Sequence, residues 1–141
     1  MHAPNTTPMT LTAVHDIGLE TVILGPGEGT PGRANQINDD MIRIKTDGRQ
    51  SNGLLTVLEY QAVPHSPGVE PHIHSTHEEG FYVVQGELSV LLNEERMVVK
   101  SGGWAFVRRE VLHAFWNDGD EPCQFLATLY LLDSSAFSST G

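Results

Sequence analysis

Between Gly53 and Pro122 the chain is cut by glycine, proline and Asx-rich turns into short runs of β-branched and aromatic residues. Helix-period patterning is weak throughout. Such a sequence can bury its apolar side chains only as a stack of short strands. Leu54–Val63 is bounded by Gly53 and Pro64. Phe81–Gln85 is ended by Gly86, and Glu87–Leu92 follows it. The polar turn Asn93–Arg96 folds the chain back onto Met97–Val99. Trp104–Val107, His113–Trp116 and, after the turn Asn117–Pro122, Cys123–Leu132 complete the series. Close, regular spacing of this kind predicts an all-β sandwich or barrel. Hydrophobic residues make up 39% of the chain, enough for one core.

We expect one domain over residues 1–141, with an N-terminal arm and edge strands at 1–50, a barrel core at 51–132 and a tail at 133–141. Thr21–Leu24 and Met41–Ile44 are the candidate edge strands. The stretch Gly25–Gly32 between them reads as a loop or barrel lid. It is not a phosphate loop, because neither Lys-Ser/Thr nor a helix follows it. The Ser-rich end from Ser134 is expected to be loose. No internal repeat is visible, so one barrel unit is expected rather than a duplicated pair.

The formal charge is −10. A field of that sign repels phosphate backbones and anionic membrane surfaces, so neither nucleic acid nor membrane is an expected partner. No apolar run reaches the roughly 18 residues of a membrane span. Met1–Thr12 lacks the basic start and apolar stretch of a secretory signal, so a cytoplasmic location is expected. The single cysteine, Cys123, opens an apolar run behind Pro122 and is expected to be a buried packing residue.

Three of the seven histidines crowd into Pro71-His72-Ile73-His74-Ser75-Thr76-His77-Glu78-Glu79. On an extended segment His72 and His74 leave the same face, about 6.5 Å apart, and can lean onto one ion. Taken alone, the pair is equally compatible with two surface histidines on an edge strand. Glu79 opens the next strand beside them. Glu78, one residue out of phase, is expected to face away. His77 has three readings: a ligand in place of Glu79, an acid–base group beside the metal, or a turn residue. Imidazole with carboxylate suits iron, nickel, manganese, cobalt or zinc better than calcium or magnesium.

The spacing His72-x-His74-x4-Glu79-x6-Gly86 resembles the first motif of the cupin superfamily. After a gap of fifteen residues, Gly102-x5-Arg108-x-Glu110-x2-His113-x3-Asn117 resembles the second. Arg108 and Glu110 stand where the family usually has proline and glycine, and the glycine usual before the first motif is shifted to Gly68. The resemblance implies a small barrel or double-sheet jelly roll, and one divalent transition metal ion on His72, His74, Glu79 and His113. It also implies pairing into a homodimer, to which the segment Leu11–Ile44 could lend a strand.

Three histidines and a carboxylate leave coordination positions open, unlike a closed structural zinc. Phe81 and Val83 share the parity of Glu79, and Phe115 that of His113. With Tyr60 from an alternate set, they are the candidate walls of an apolar substrate pocket. Pro71–His74 and Gly80–Leu88 look most like the quercetinase-type branch. That likeness implies oxygen-dependent ring cleavage of flavonol-like phenols, with Glu79 doubling as the base; His77, by its position beside the ligands, is the second catalytic candidate. The same architecture occurs among aromatic polyketide cyclases, where zinc acts as a Lewis acid for aldol closure. A non-catalytic ligand-binding cupin is the third reading.

Overall fold

A computed structural model describes residues 15–16, 21–29 and 34–130, with side chains described over 21–29 and 37–130. Residues 131–141, and residues 1–14, 17–20 and 30–33 of the arm, fall outside the described residues. Among the described residues there are strands and no helix. Among these residues, therefore, no helix is long and apolar enough to cross a membrane.

A short ribbon pairs β1 (His15–Asp16) with β2 (Val22–Ile23). The other strands are β3 (Ala34–Ile37), β4 (Asp40–Thr46), β5 (Leu55–Ala62), β6 (Val69–His72), β7 (Glu78–Gln85), β8 (Glu87–Leu92), β9 (Glu95–Lys100), β10 (Trp104–Val107), β11 (His113–Trp116) and β12 (Cys123–Tyr130). They form two antiparallel sheets. One has the order β10-β7-β12-β5-β4-β3, the other β6-β11-β8-β9. This is the all-β architecture expected from the turn spacing, in the double-sheet jelly-roll form that the cupin resemblance implies.

Most strand bounds agree with expectation to within a few residues, and the differences have physical causes. β7 begins at Glu78 rather than Phe81 because Glu79 and Gly80 pair with Val107 and Phe106 on one side and with Leu129 and Thr128 on the other. The β8–β9 turn needs only Asn93 and Glu94. Asn93 takes the left-handed conformation (φ 55°) that lets Glu95 pair with Leu92. The strand β3 was not expected: its polar sequence Ala-Asn-Gln-Ile is held by backbone pairing to β4 at the sheet edge. β4 carries Ile42 into the core, so the core draws on residues before 51.

Between the sheets lie Tyr60, Phe81, Phe115 and Phe125 in mutual contact. Tyr60 stacks on Phe125 at 4.8 Å, and Phe115 meets Phe125 edge-on at 5.3 Å. Each such pair adds about 0.5–1.5 kcal/mol to simple burial. Cys123 is fully buried among them, and burial pushes its thiol up to about 11. It packs as expected and is not reactive.

At this end of the barrel one acid is wholly enclosed. Asp40 accepts hydrogen bonds from the Tyr60 hydroxyl (2.8 Å), the Ser66 hydroxyl (2.6 Å) and the Val63 amide (2.9 Å). Burial and the Asp40 carboxylate together hold the Tyr60 phenol protonated. Asn117 ends β11 in a comparable way. Its side-chain amide donates to the carbonyls of Val63 and Glu121 and its oxygen accepts from the Gly119 amide. The asparagine that closes the second motif is thus a clasp between loops.

Gly68 stands beside β11 with φ +62°, and a Cβ there would collide with the Phe115 carbonyl. The shifted glycine therefore has its own reason for being where it is. Gly68→Ala should lower unfolding free energy by about 2 kcal/mol or more, read by denaturant titration. A loss below about 0.5 kcal/mol would show that β6 and β11 need not approach so closely.

Candidate metal centre

The two sheets each bring part of the site to one end of the barrel. β11 lies between β6 and β8, and its first residue, His113, is opposite His72 on one side and Leu92 on the other. Glu79 comes from the facing sheet, flanked by Val107 of β10 and Leu129 of β12. His74 follows just beyond the end of β6. One ligand atom from each of His72, His74, Glu79 and His113 lies within 4.8 Å of the other three. His113 Nε2 is 2.9 Å and His74 Nε2 3.4 Å from Glu79 Oε2, and the Nε2 atoms of His72 and His74 are 3.0 Å apart.

The outer nitrogens explain which atoms face inward. His72 Nδ1 donates to the Glu70 carbonyl at 2.6 Å and His113 Nδ1 to the Val111 carbonyl at 2.8 Å. A carbonyl only accepts, so both rings carry a proton on Nδ1 and turn Nε2 to the centre. Burial lowers the basicity of His74, and the neighbouring histidines add to this against the pull of Glu79. Burial would also lower His113, but the hydrogen bond and charge of Glu79 and the Val111 carbonyl outweigh it and raise its pKa. Glu79 is the converse case. Burial raises its pKa, the His113 hydrogen bond and the charges of His74, His113 and His72 oppose that, and the net direction is down.

Three imidazole nitrogens and one ionised carboxylate, gathered from two sheets, fit a divalent transition metal ion. A cation would take over from protons as the counter-charge to the buried Glu79, so binding is coupled to proton release.

The other expected site residues are placed as follows. Glu78 faces away from the cluster, as its phase requires. Arg109 grips it with Nε–Oε2 at 2.6 Å and a second guanidinium nitrogen on Oε1 at 2.8 Å, and its amide adds 3.2 Å to Oε2. That grip holds Glu78 below the usual carboxylate range, against a smaller effect of burial. His77 lies outside the four-atom set, its ring stacked on His74 at 4.0 Å. Arg108 and Glu110 are exposed.

The expected pocket walls are all buried in this structure. Tyr60, Phe81, Val83 and Phe115 are 2%, 1%, 0% and 7% exposed and belong to the packed core. Parity does point Phe81, Val83 and Phe115 inward with the ligands, but they are successively deeper along their strands. They form the floor beneath the centre, and Tyr60 is committed to Asp40. The outward side is the segment after β6, where His72 and His74 are half-buried and Ile73 is 54% exposed.

Two features were missed in the sequence. Arg109 was passed over beside Arg108, although a cation in a loop facing the paired acids Glu78-Glu79 was the available signal. The second is the Glu110 amide, which donates to the His74 carbonyl at 2.7 Å from a left-handed residue (φ 72°). Glu110 adopts there the conformation for which glycine is usual.

Arg109 and the Glu110 amide together hold the loop before His113 against the segment carrying His74 and Glu79. Arg109→Ala should weaken metal affinity by about tenfold or more, read by competition with a chromogenic chelator. Unchanged affinity would show that β7 and β11 alone position the ligands.

The comparisons agree with this geometry. Residues 59–129 match the family model described as Cupin domain. Quercetin 2,3-dioxygenase of Aspergillus japonicus is 32% identical over an alignment of 90 residues that covers 59% of this chain and 25% of that protein. The chain thus spans about a quarter of the length of this curated relative. A predicted oxalate decarboxylase of Thermotoga maritima superposes with a TM-score of 0.65 at 21% identity, over 70% of this chain and 92% of that one. KdgF of a Halomonas species superposes at 0.60 and 15% identity, over 74% of this chain and 92% of that one. The Cnp3 cupin domain of Schizosaccharomyces pombe gives 0.61 at 15%, over 76% and 70%. These structural likenesses speak for the fold alone. With its family match, its jelly roll and a His72–His74–Glu79–His113 cluster at the barrel end, the chain belongs to the cupin family.

Proposed function

We propose that this cupin is a metal-dependent enzyme acting on a phenolic or poly-oxygenated aromatic small molecule, by oxygen-dependent ring cleavage of the quercetinase type. The observation that carries the reading is the convergence of His72, His74, Glu79 and His113 on one point with an outward side left open. The 32% identity to a quercetin 2,3-dioxygenase supports the choice of substrate class. A redox-capable ion held there, such as iron, nickel, manganese or cobalt, would supply Lewis acidity and a path for electrons to dioxygen.

The chain's own residues do the rest. Glu79 lies at the centre with Oε2 turned to the histidines, so its other oxygen can accept the proton of a substrate hydroxyl. His113, held from behind by the Val111 carbonyl, faces Glu79 Oε2 across the centre. The closed floor of Phe81 and Phe115 keeps bulk water from reaching the centre from below. Ile73 offers an apolar contact at the rim for a flat ring.

Metal-loaded protein given a flavonol in air should consume oxygen with ring cleavage and be inactive under nitrogen. Equal turnover under nitrogen on a linear polyketide mimic, with loss of water alone, would contradict this and favour a zinc-dependent cyclase. Glu79→Gln should lower turnover by about a hundredfold or more, and Glu78→Gln by much less, since Glu78 acts only through Arg109. Equal losses would mean that Glu79 has no role as a base.

A further inference from the structure

The outer face of the larger sheet carries a continuous patch of half-exposed apolar side chains. On β10, Ala105 and Val107 pack into the core, so Trp104 and Phe106 point away from it. On β7, Phe81 and Val83 are core residues, so Tyr82 and Val84 point outward. Trp104 is 49%, Phe106 48%, Tyr82 44% and Val84 44% exposed. They are neighbours: Trp104 pairs with Tyr82, and Phe106 with Gly80. A Cβ at Gly80 would collide with the Trp104 indole, so that ring lies over the glycine along the sheet. Tyr82 is opposite Leu126 on its other side, and Phe106 meets Tyr130 at 6.2 Å.

Scattered exposed apolar residues are ordinary, whereas a contiguous patch marks an interaction site. Four such side chains, each about half open, present on the order of 400 Å², the size at which that reading applies. β10 is also the end strand of its sheet. End strands are commonly guarded by lysine, proline or a bulge, and Trp104–Val107 has none of these. The outer face of the smaller sheet is different. Val98 is 54% exposed there, but Arg96 on the same face lies over Trp116.

Charge decides the partner. The chain carries −10, so two copies repel unless they meet on a face without net negative charge. At the outward positions of β4, β5, β7, β10 and β12 the acids are Glu59 and Glu78. Glu59 is bridged by Arg43 at 3.4 Å and Lys45 at 3.7 Å, and Glu78 by Arg109 at 2.6 Å. A basic partner would find no free acid at the patch, but a second acidic copy can lie on it without repulsion.

We propose that two copies of this chain associate through this face, patch on patch about a two-fold axis. Two patches bury on the order of 800 Å², and Leu126, Tyr130 and the bridged polar ladder beside them extend this toward the roughly 1,200 Å² of a stable interface. All four patch residues lie outside Leu11–Ile44, so this contact is distinct from one in which the arm lends a strand. It is also independent of the metal and of the reaction.

Sedimentation velocity of the full chain across micromolar concentrations tests the proposal, with circular dichroism as the check on folding. The wild-type protein should sediment as a dimer. Val84→Glu and Tyr82→Glu each set like charges against one another across the axis, and should weaken association by about a hundredfold or more with strand content unchanged. Val98→Glu, at an equally open apolar position on the other sheet, should leave the dimer intact. Trp104 gives a reading that needs no charged variant: emission should shift to the red as the wild-type dimer is diluted, and Trp104→Phe should lack that shift. A monomeric wild-type protein would overturn the proposal. So would a dimer that survives both patch substitutions, one that dissociates with no change in Trp104 emission, or one that Val98→Glu disrupts equally. A dimer abolished by removing residues 1–14 but not by the patch substitutions would give the contact to the arm instead, and would overturn it as well.

Discussion

A carboxylate buried at the end of a barrel is what the arrangement of this molecule has to accommodate. Glu79 is 8% exposed and sits in the middle of a sheet, between β10 and β12. An isolated carboxylate there would be driven to its neutral form. It stays ionised because His113 and His74 reach it, from β11 in the opposite sheet and from the segment just beyond β6. His72 and His113 in turn are fixed from behind by the carbonyls of Glu70 and Val111. The contact between the two sheets at this end is therefore electrostatic, whereas the rest of the interior is held by the Tyr60–Phe81–Phe115–Phe125 aromatic cluster.

That division of labour sets where rigidity is needed. The floor is rigid because it is packed. The rim is made of loops, which need fastening of their own, and it comes from the Glu78–Arg109 pair and the Glu110–His74 backbone bond. The pair is part-buried and bidentate, a geometry in which an ion pair contributes more than at an open surface. A non-glycine residue at φ 72° in the second of these ties is strained by about 1–3 kcal/mol. It persists where the hydrogen bond to the His74 segment holds it. Neighbouring acids thus have separate tasks: Glu79 faces the metal-binding cluster, and Glu78 anchors the loop that carries the opposite ligand.

Much of this was legible in the residues. The turn spacing pointed to an all-β sandwich or barrel because strands of at most eight residues leave few other ways to bury their apolar faces. The four metal-binding candidates were legible because His-x-His, a carboxylate and a distant histidine keep fixed phase along strands. Phase alone could not tell depth. Phe81 and Val83 share the parity of Glu79, but whether such a position opens to solvent or is filled depends on what the facing sheet supplies, here Phe115 and Phe125. Tyr60 was drawn away for a different reason: the buried Asp40, twenty residues earlier in the chain, takes its hydroxyl. Arg109 escaped notice because its partner is thirty-one residues away in sequence and close only in the folded barrel. β3 escaped because an edge strand held by backbone pairing needs no apolar pattern.

The claim on which the account turns is that one divalent transition metal ion is held by three imidazoles and a carboxylate. X-ray absorption on protein loaded with a single equivalent of cobalt or iron tests it most directly, since imidazole ligands give a distinctive multiple-scattering signal beyond the first coordination sphere. The account predicts nitrogen and oxygen ligation with a signal for three imidazoles, falling to two in His113→Ala. Sulfur ligation, or at most one imidazole in the wild-type protein, would contradict it.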